Sequence, residues 1–360
     1  MLTIHVFNGL TGAHLTRLPE ITFSWQNSIN TDGNFSVDAH DPDYAYGNIL
    51  VPYKNIIAII EGTKVYHAGY IKAAPYKRKD GKWQVSGGGF LAILEKRLVM
   101  NYALYGSWKD GQVTVDEDRP KGNWPLRLKG SYSDLIAKLI AETKKWGTLP
   151  VDTAPLTGGS HDYTYNSFDL ATTASRILEI GQLDDAPEFR FDAVLDSTGN
   201  LRFKQKTSSD NGEIIDHKWK LNALPFDSGI MLDDEDLDGS AMCHQAFAVG
   251  GRDDDKLLVA RSMTTPPANT PLLQIGNTGH SSVSRLNTLQ SYVRADAHYG
   301  SKQYRTVGFV VDRTRFDIHV GDWMDVRYGA SANSVFHLKV TDVSGRDSDN
   351  MLMLQCRERE

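Results

Sequence analysis

The sequence predicts a mainly β protein with minor α (α+β), built from several small barrel-like β domains with short helices. Three observations carry this. Most segments place apolar residues at every second position; segments with helical period are few and short; and Gly- and Pro-containing runs recur often enough to divide the 360 residues into several compact units. A hydrophobic share of 40% and an aromatic share of 10% are enough to fill real cores and argue against disorder.

Taken in order, "KNIIAIIEGTKVYHAGYIKAA" reads as two strands broken at Glu61-Gly62-Thr63, and "KWQVSG" follows across the Lys79-Asp80-Gly81 turn. A short helix is expected from Phe90 to Lys96. The clearest helix spans 131–147: Ser131 and Asp134 form a capping pair, Leu135, Ile136, Leu139 and Ile140 make the apolar stripe, and Gly147 stops it. Another is predicted over 167–181, with Phe168, Ala171, Ile177 and Leu178 inward. Then "EFRFDAVLD" pairs with "LRFKQKT", a helix over 284–300 places Leu286, Leu289 and Val293 on one side, and "HLKVTDVSGRD" pairs with "MLMLQCRERE".

Polar, turn-rich runs at Lys109–Leu128, 153–166 and 264–282 mark crossings, the last interrupting any regular element. The expected units are an N-terminal β-barrel over 1–108 and an α+β domain with two helices over 109–190. A second β-barrel-like region spans 191–263 and 301–360, with a Pro/Gly-rich loop and helix, 264–300, inserted in it.

Composition excludes several classes. Net charge is -6 with scattered Lys and Arg, so no basic face announces sequence-specific nucleic-acid binding. Cys243 and Cys356 are the only cysteines, too few for a disulfide framework or a Cys-rich metal site, and two buried thiols are expected. The opening MLTIHVFNG has neither a basic n-region nor an apolar core, so no signal peptide is expected, and no run of eighteen apolar residues suggests a membrane span. Synthesis in a reducing cytoplasm follows as an expectation.

Candidate chemistry is thin. Gly87–Gly89 begins G-x-G-x-x-A, close to a dinucleotide fingerprint, but the preceding strand sits in hairpins and no parallel βαβ unit is expected. The triplet is therefore assigned to a crowded bend from strand into helix. From Asp234, carboxylates at Asp234, Asp236 and Asp238 and a glycine at Gly239 follow a calcium loop, yet Gln245 stands where the bidentate carboxylate belongs. The run 233–239 is read as a solvated acidic loop, and Asp253–Asp255 as a hairpin tip. The eleven histidines show no HExxH or H-x-H spacing, and His40-Asp41 and His161-Asp162 lack a nucleophile motif. No catalytic, cofactor-binding or metal-ligating set is assigned, and no cofactor. The seven Trp and fifteen Tyr either line a sugar groove or fill cores and subunit contacts.

In sequence order, several stretches resemble one family. "FSWQNSINTDGNFSVDAHDPDYAYGNILVPYKNIIAIIEGTKVYHAGYIKAAPYKRKDGKWQVSGGGFLAILEKR" contains Gly33-Asn34-Phe35-Ser36-Val37, Ala68-Gly69-Tyr70-Ile71, the glycine strand and a short helix ending at Arg97. "YNSFDLATTASRILEIGQLDDAPEFRFDAVLDSTGNLRFKQ" runs a helix through an acidic loop into a hairpin. "GSAMCHQAFAVGGRDDDKLLVARS" and "FDIHVGDWMDVRYG", the latter with the turn Val320-Gly321-Asp322, complete the order. The chain resembles the tail-hub (baseplate hub) or minor tail proteins of long-tailed bacteriophages, siphophages above all of actinobacteria.

The resemblance implies a multidomain, non-enzymatic hub at the virion's tail tip. Three copies would form a ring of pseudo-sixfold symmetry between the tail tube and distal tip or receptor-binding proteins, lining part of the DNA exit channel. An acidic surface suits such a wall, because like charge keeps phosphate from sticking. Many members continue into fibres or lysozyme-like modules. This chain stops at Glu360, so cell-wall hydrolysis is not carried over. A carbohydrate-binding virion adhesin and a β-rich glycoside hydrolase remain alternatives.

Overall fold

The computed structural model describes residues 1–19, 21–107, 115, 122–224, 228–253, 256–280, 283, 285–329, 334–347 and 350–359. Strand pairing within it joins both ends of the sequence. Fourteen strands form one sheet. Its main path runs from Ile230–Asp238 through Tyr304–Asp312, Met351–Glu358, Val335–Arg346, Ile21–Ser28 and Asn34–His40. It continues through Lys82–Gly88, Lys64–Ala73, Asn55–Glu61 and Thr3–Asn8 to His14–Leu18. Trp323–Arg327 pairs with Val335–Arg346, and Lys218–Asn222 adds to it in parallel.

The mainly β class therefore holds, but strands expected in separate barrels share one open sheet. Among the described residues no sheet closes into a barrel. The cause is Val335–Arg346, whose twelve residues are long enough to serve both halves. A bulge between Val340 and Asp342 bends it so that Asp342–Arg346 pairs with Ser24–Ser28. Asp342 Oδ1 accepts from Gln26 Nε2 and Ser28 Oγ at 2.9 and 2.5 Å, pinning that register.

Asn55–Glu61 explains why two cores lie back to back. Its run N-I-I-A-I-I does not alternate, because both faces are covered. Ile56, Ala58 and Ile60 face a core shared with the helices, whereas Ile57 and Ile59 face a core shared with the C-terminal strands. Each such isoleucine contributes about 2 kcal/mol by leaving water. The first core collects helices α1 (Leu91–Leu94), α2 (Tyr132–Lys145) and α3 (Thr173–Ile180) and the hairpin Phe189–Leu195/Leu201–Thr207. A third, smaller core lies between α4 (Leu286–Tyr299) and the strands Gln245–Asp253 and Lys256–Met263.

Sequence expectations and structure part at identifiable places. In α2 all four stripe residues are buried and Ser131 Oγ accepts the Asp134 N–H at 3.2 Å. The Asp134 carboxylate, however, turns to the Thr157 and Gly158 amides instead of closing the reciprocal cap. The helix expected over 167–181 is split. Ser167–Asp169 is a 3-10 turn, Leu170 adopts a left-handed φ of 51°, and α3 starts only at Thr173, where Thr172 Oγ1 accepts the Ser175 N–H. In α4, Leu289 and Val293 are buried but Leu286, in the first turn, is exposed. The run 264–282 does contain a regular element, Gln274–His280, which completes a third strand parallel to Gln245–Asp253. The residues 233–239 are not a loop: Ile230–Asp238 is an edge strand held by Tyr304–Asp312. Asp253 pairs with Lys256 as a hairpin requires, with 254–255 outside the described residues, as is most of the crossing at 109–128.

Candidate functional site

The glycine triplet ends the strand Lys82–Gly88 and leads into α1. A Cβ at Gly87 would stand 2.1 Å from the Tyr70 carbonyl oxygen, and Cβ atoms at Gly88 and Gly89 would each stand 2.6 Å from a carboxylate oxygen of Asp32. Asp32 Oδ1 accepts the Leu91 N–H at 3.0 Å. The Asp32 carboxyl thus fills the space beside the glycines, which is the crowding that the bend relieves. Burial pushes the Asp32 carboxyl up to about 7, against the opposing Leu91 hydrogen bond.

Asp32 lines a cavity of about 440 Å³ between the sheet, the hairpin and the segment Ile318–Val320. Trp25 and His67 line it too, with the Trp25 Nε1 and His67 Nε2 atoms buried and without hydrogen bonds among the described residues. Burial alone lowers His67 to about 3, so its ring is neutral. On the far side the cavity wall is ionic. Arg190 bonds Asp192 and Asp216, and Lys206 also reaches Asp216. Burial would raise Asp216, but the hydrogen bonds from Lys206 and Arg190 outweigh it and hold the carboxyl at about 2. Nearby, buried Lys339 reaches Glu188 and Glu213 at 2.7 and 2.9 Å. The Lys339 pairs clamp the chain on either side of the hairpin onto the C-terminal strands.

In the histidine–aspartate pairs of the sequence, both aspartates are engaged by other residues. Asp41 accepts from Trp83 Nε1 and from the Ala45 and Tyr46 amides, a turn-bracing role. His161 stacks on Tyr132 and bonds Asp210, while Asp162 pairs with Lys129. Asp234, Asp236 and Asp238 lie on extended chain, where alternate residues are about 6.6 Å apart, so they do not converge as calcium-loop ligands do. Both cysteines are free and buried.

One cluster escaped the sequence reading. His217, His319 and Asp322 each offer a ligand atom, all within 4.8 Å of one another. The turn builds it: Gly321, at φ +93°, folds Asp322 back so that its carboxylate accepts the His319 N–H at 3.0 Å. His217, immediately before Lys218–Asn222, is brought in by the parallel pairing of Lys218 with Trp323. The legible half was His319-x-x-Asp322; the third member is about a hundred positions away, with no local signal.

The remaining feature is the pair of sheet ends. His14–Leu18 and Ile230–Asp238 terminate the strand path, so one side of each has no strand partner among the described residues. His14, Leu15 and Arg17 are exposed on the first, and Met231, Leu237 and a run of carboxylates on the second. No helix among the described residues is long and apolar enough to cross a membrane.

No protein-family model and no curated protein sequence matches this chain. Solved structures do. The 43 kDa tail protein of prophage MuSo2 from Shewanella oneidensis matches with a TM-score of 0.55 at 10% identity, covering 99% of this chain and 98% of that one. A tail protein from Neisseria meningitidis MC58 gives 0.53 at 11%, covering 100% and 96%. An Escherichia coli component of the type VI secretion system, described as structurally similar to the T4 bacteriophage tail proteins gp27 and gp5, gives 0.51 at 8%, covering 100% and 77%. The likeness runs from end to end: this chain has the fold of those tail proteins.

Proposed function

We propose that the chain is a non-enzymatic structural hub of a phage tail tip. Three copies form a ring that joins the tail tube to distal tip proteins, and its inner wall is part of the DNA exit channel. The observation that carries this reading is the open-ended sheet with edges of opposite charge. Unpaired edges are a liability that proteins cover or protect, and a head-to-tail contact that closes into a ring covers both ends of the main strand path in every copy. His14 and Arg17 at one end complement Asp233, Asp234, Glu235, Asp236 and Asp238 at the other, so the first edge of one copy meets the second edge of the next. The fold shared with the Shewanella and Neisseria tail proteins supports placement in a virion tail.

Light scattering across a concentration series tests it. The 40.1 kDa chain is expected to give a closed species of roughly 120 kDa, three copies, visible as rings in negative stain. A chain that stays monomeric at high concentration with tail-tube protein present would remove the basis for a ring.

A further inference from the structure

We propose that His217, His319 and Asp322 form a binding site for a divalent transition-metal ion of the zinc class, a clip that ties together two strand starts distant in sequence. This stands independently of the tail-hub reading.

The carboxylate comes first. Asp322 is fully buried, with Oδ1 accepting the His217 N–H at 3.0 Å and Oδ2 accepting the His319 N–H and Trp219 Nε1 at 3.0 and 2.9 Å. Those bonds fix the group and leave Oδ1 with capacity to accept, 3.6 Å from His217 Nδ1. That separation is long for a hydrogen bond. It is close to the roughly 3.4 Å between neighbouring donors on a tetrahedral ion bound at about 2.1 Å.

His319 supplies the third donor. Its Nδ1 is buried and makes no hydrogen bond among the described residues, while its Nε2 lies 3.4 Å from Asp317 Oδ1. A metal on Nδ1 with Nε2–H directed at Asp317 is the carboxylate–histidine–metal arrangement that orients a ligating imidazole. Two imidazoles and one carboxylate suit zinc, and also nickel or copper, over calcium or magnesium. Three protein ligands leave a fourth position for water, reachable because the His217 side chain is 54% exposed.

The location gives the ion a structural role. Lys218–Asn222 and Trp323–Arg327 pair in parallel with no short connection, and their first residues are held by hydrogen bonds alone: the Asp322 carboxylate accepts from His217 and Trp219, and the Trp323 N–H donates to the His217 carbonyl. His217 and Asp322 are the residues just before each strand, and an ion between them would add a stronger tie to those hydrogen bonds.

The test uses the full-length, untagged chain and Zn2+ in competition with a chromophoric chelator, with Co2+ as a spectroscopic probe. Expected are one ion per chain, an intense visible Co2+ spectrum of a four- or five-coordinate site, and a rise in melting temperature with Zn2+. His217→Ala and His319→Ala should each weaken binding by roughly 100-fold or more, and Asp317→Asn by about tenfold. His217→Ala changes a half-exposed side chain, and a metal-free melt matching the parent shows that it folds. The separate pair His5 and His14, with ring nitrogens 2.9 Å apart, is the control. Absence of saturable binding overturns the proposal, as does binding that survives both substitutions or is lost with His14→Ala instead.

Discussion

Lys339 shows at the scale of one residue why a buried charge here requires its partners. It is 2% exposed and held by two glutamates and the Ile214 carbonyl. Lys339→Ala leaves Glu188 buried without its cation, and a loss of roughly 3–5 kcal/mol is expected in chemical denaturation; a loss near zero would mean that water already screens the network. Asp32 gives the opposite lesson, a carboxyl that burial keeps protonated. Its folded value of about 7 lies above the ordinary 3.8, so between those values the folded chain holds a proton the unfolded chain has released. The Asp32 contribution to stability is thus fully present below about pH 4 and declines as pH rises to about 7. Asp32→Asn should flatten that decline, so that the variant gains on the wild type from about pH 4 to about pH 7 in denaturation curves. Parallel curves would show that the carboxyl is solvated.

At the scale of the element, the turns and the best helix were legible because their causes are local. Ser131 caps α2 by a bond three residues away, and the Lys79-Asp80-Gly81 turn joins strands that are neighbours in sequence. The glycine triplet was legible only as a need for space. That Asp32, Phe35 and the Tyr70 carbonyl fill the space is decided by pairing between distant strands. Gly87→Ala puts a methyl group against fixed backbone at 2.1 Å. It should cost about 1–3 kcal/mol, measured as an earlier unfolding midpoint; an unchanged midpoint would show that the bend relaxes freely. The acidic run misled for a related reason. Its composition is that of a loop, but cross-strand hydrogen bonds to Tyr304–Asp312 hold it extended, and the same charges then blunt a sheet edge.

At the scale of the whole molecule, the proposed ring closure through unlike edges predicts a dependence on charge and salt. Arg17→Glu should lower the trimer fraction at moderate salt, and raising salt should weaken the wild-type assembly. Sedimentation velocity reads both, and an assembly indifferent to the substitution would move the contact elsewhere. What the sequence determined unaided was the β-dominated class, the hairpins, α2 and the buried thiols. Periodicity and turn chemistry act over a few residues and are written locally. Only the tertiary structure decided that the two ends share one sheet, that Asn55–Glu61 separates two cores, and that His217 meets His319 and Asp322. Those outcomes depend on which distant strands exchange hydrogen bonds, and side-chain alternation along one strand does not name its partner.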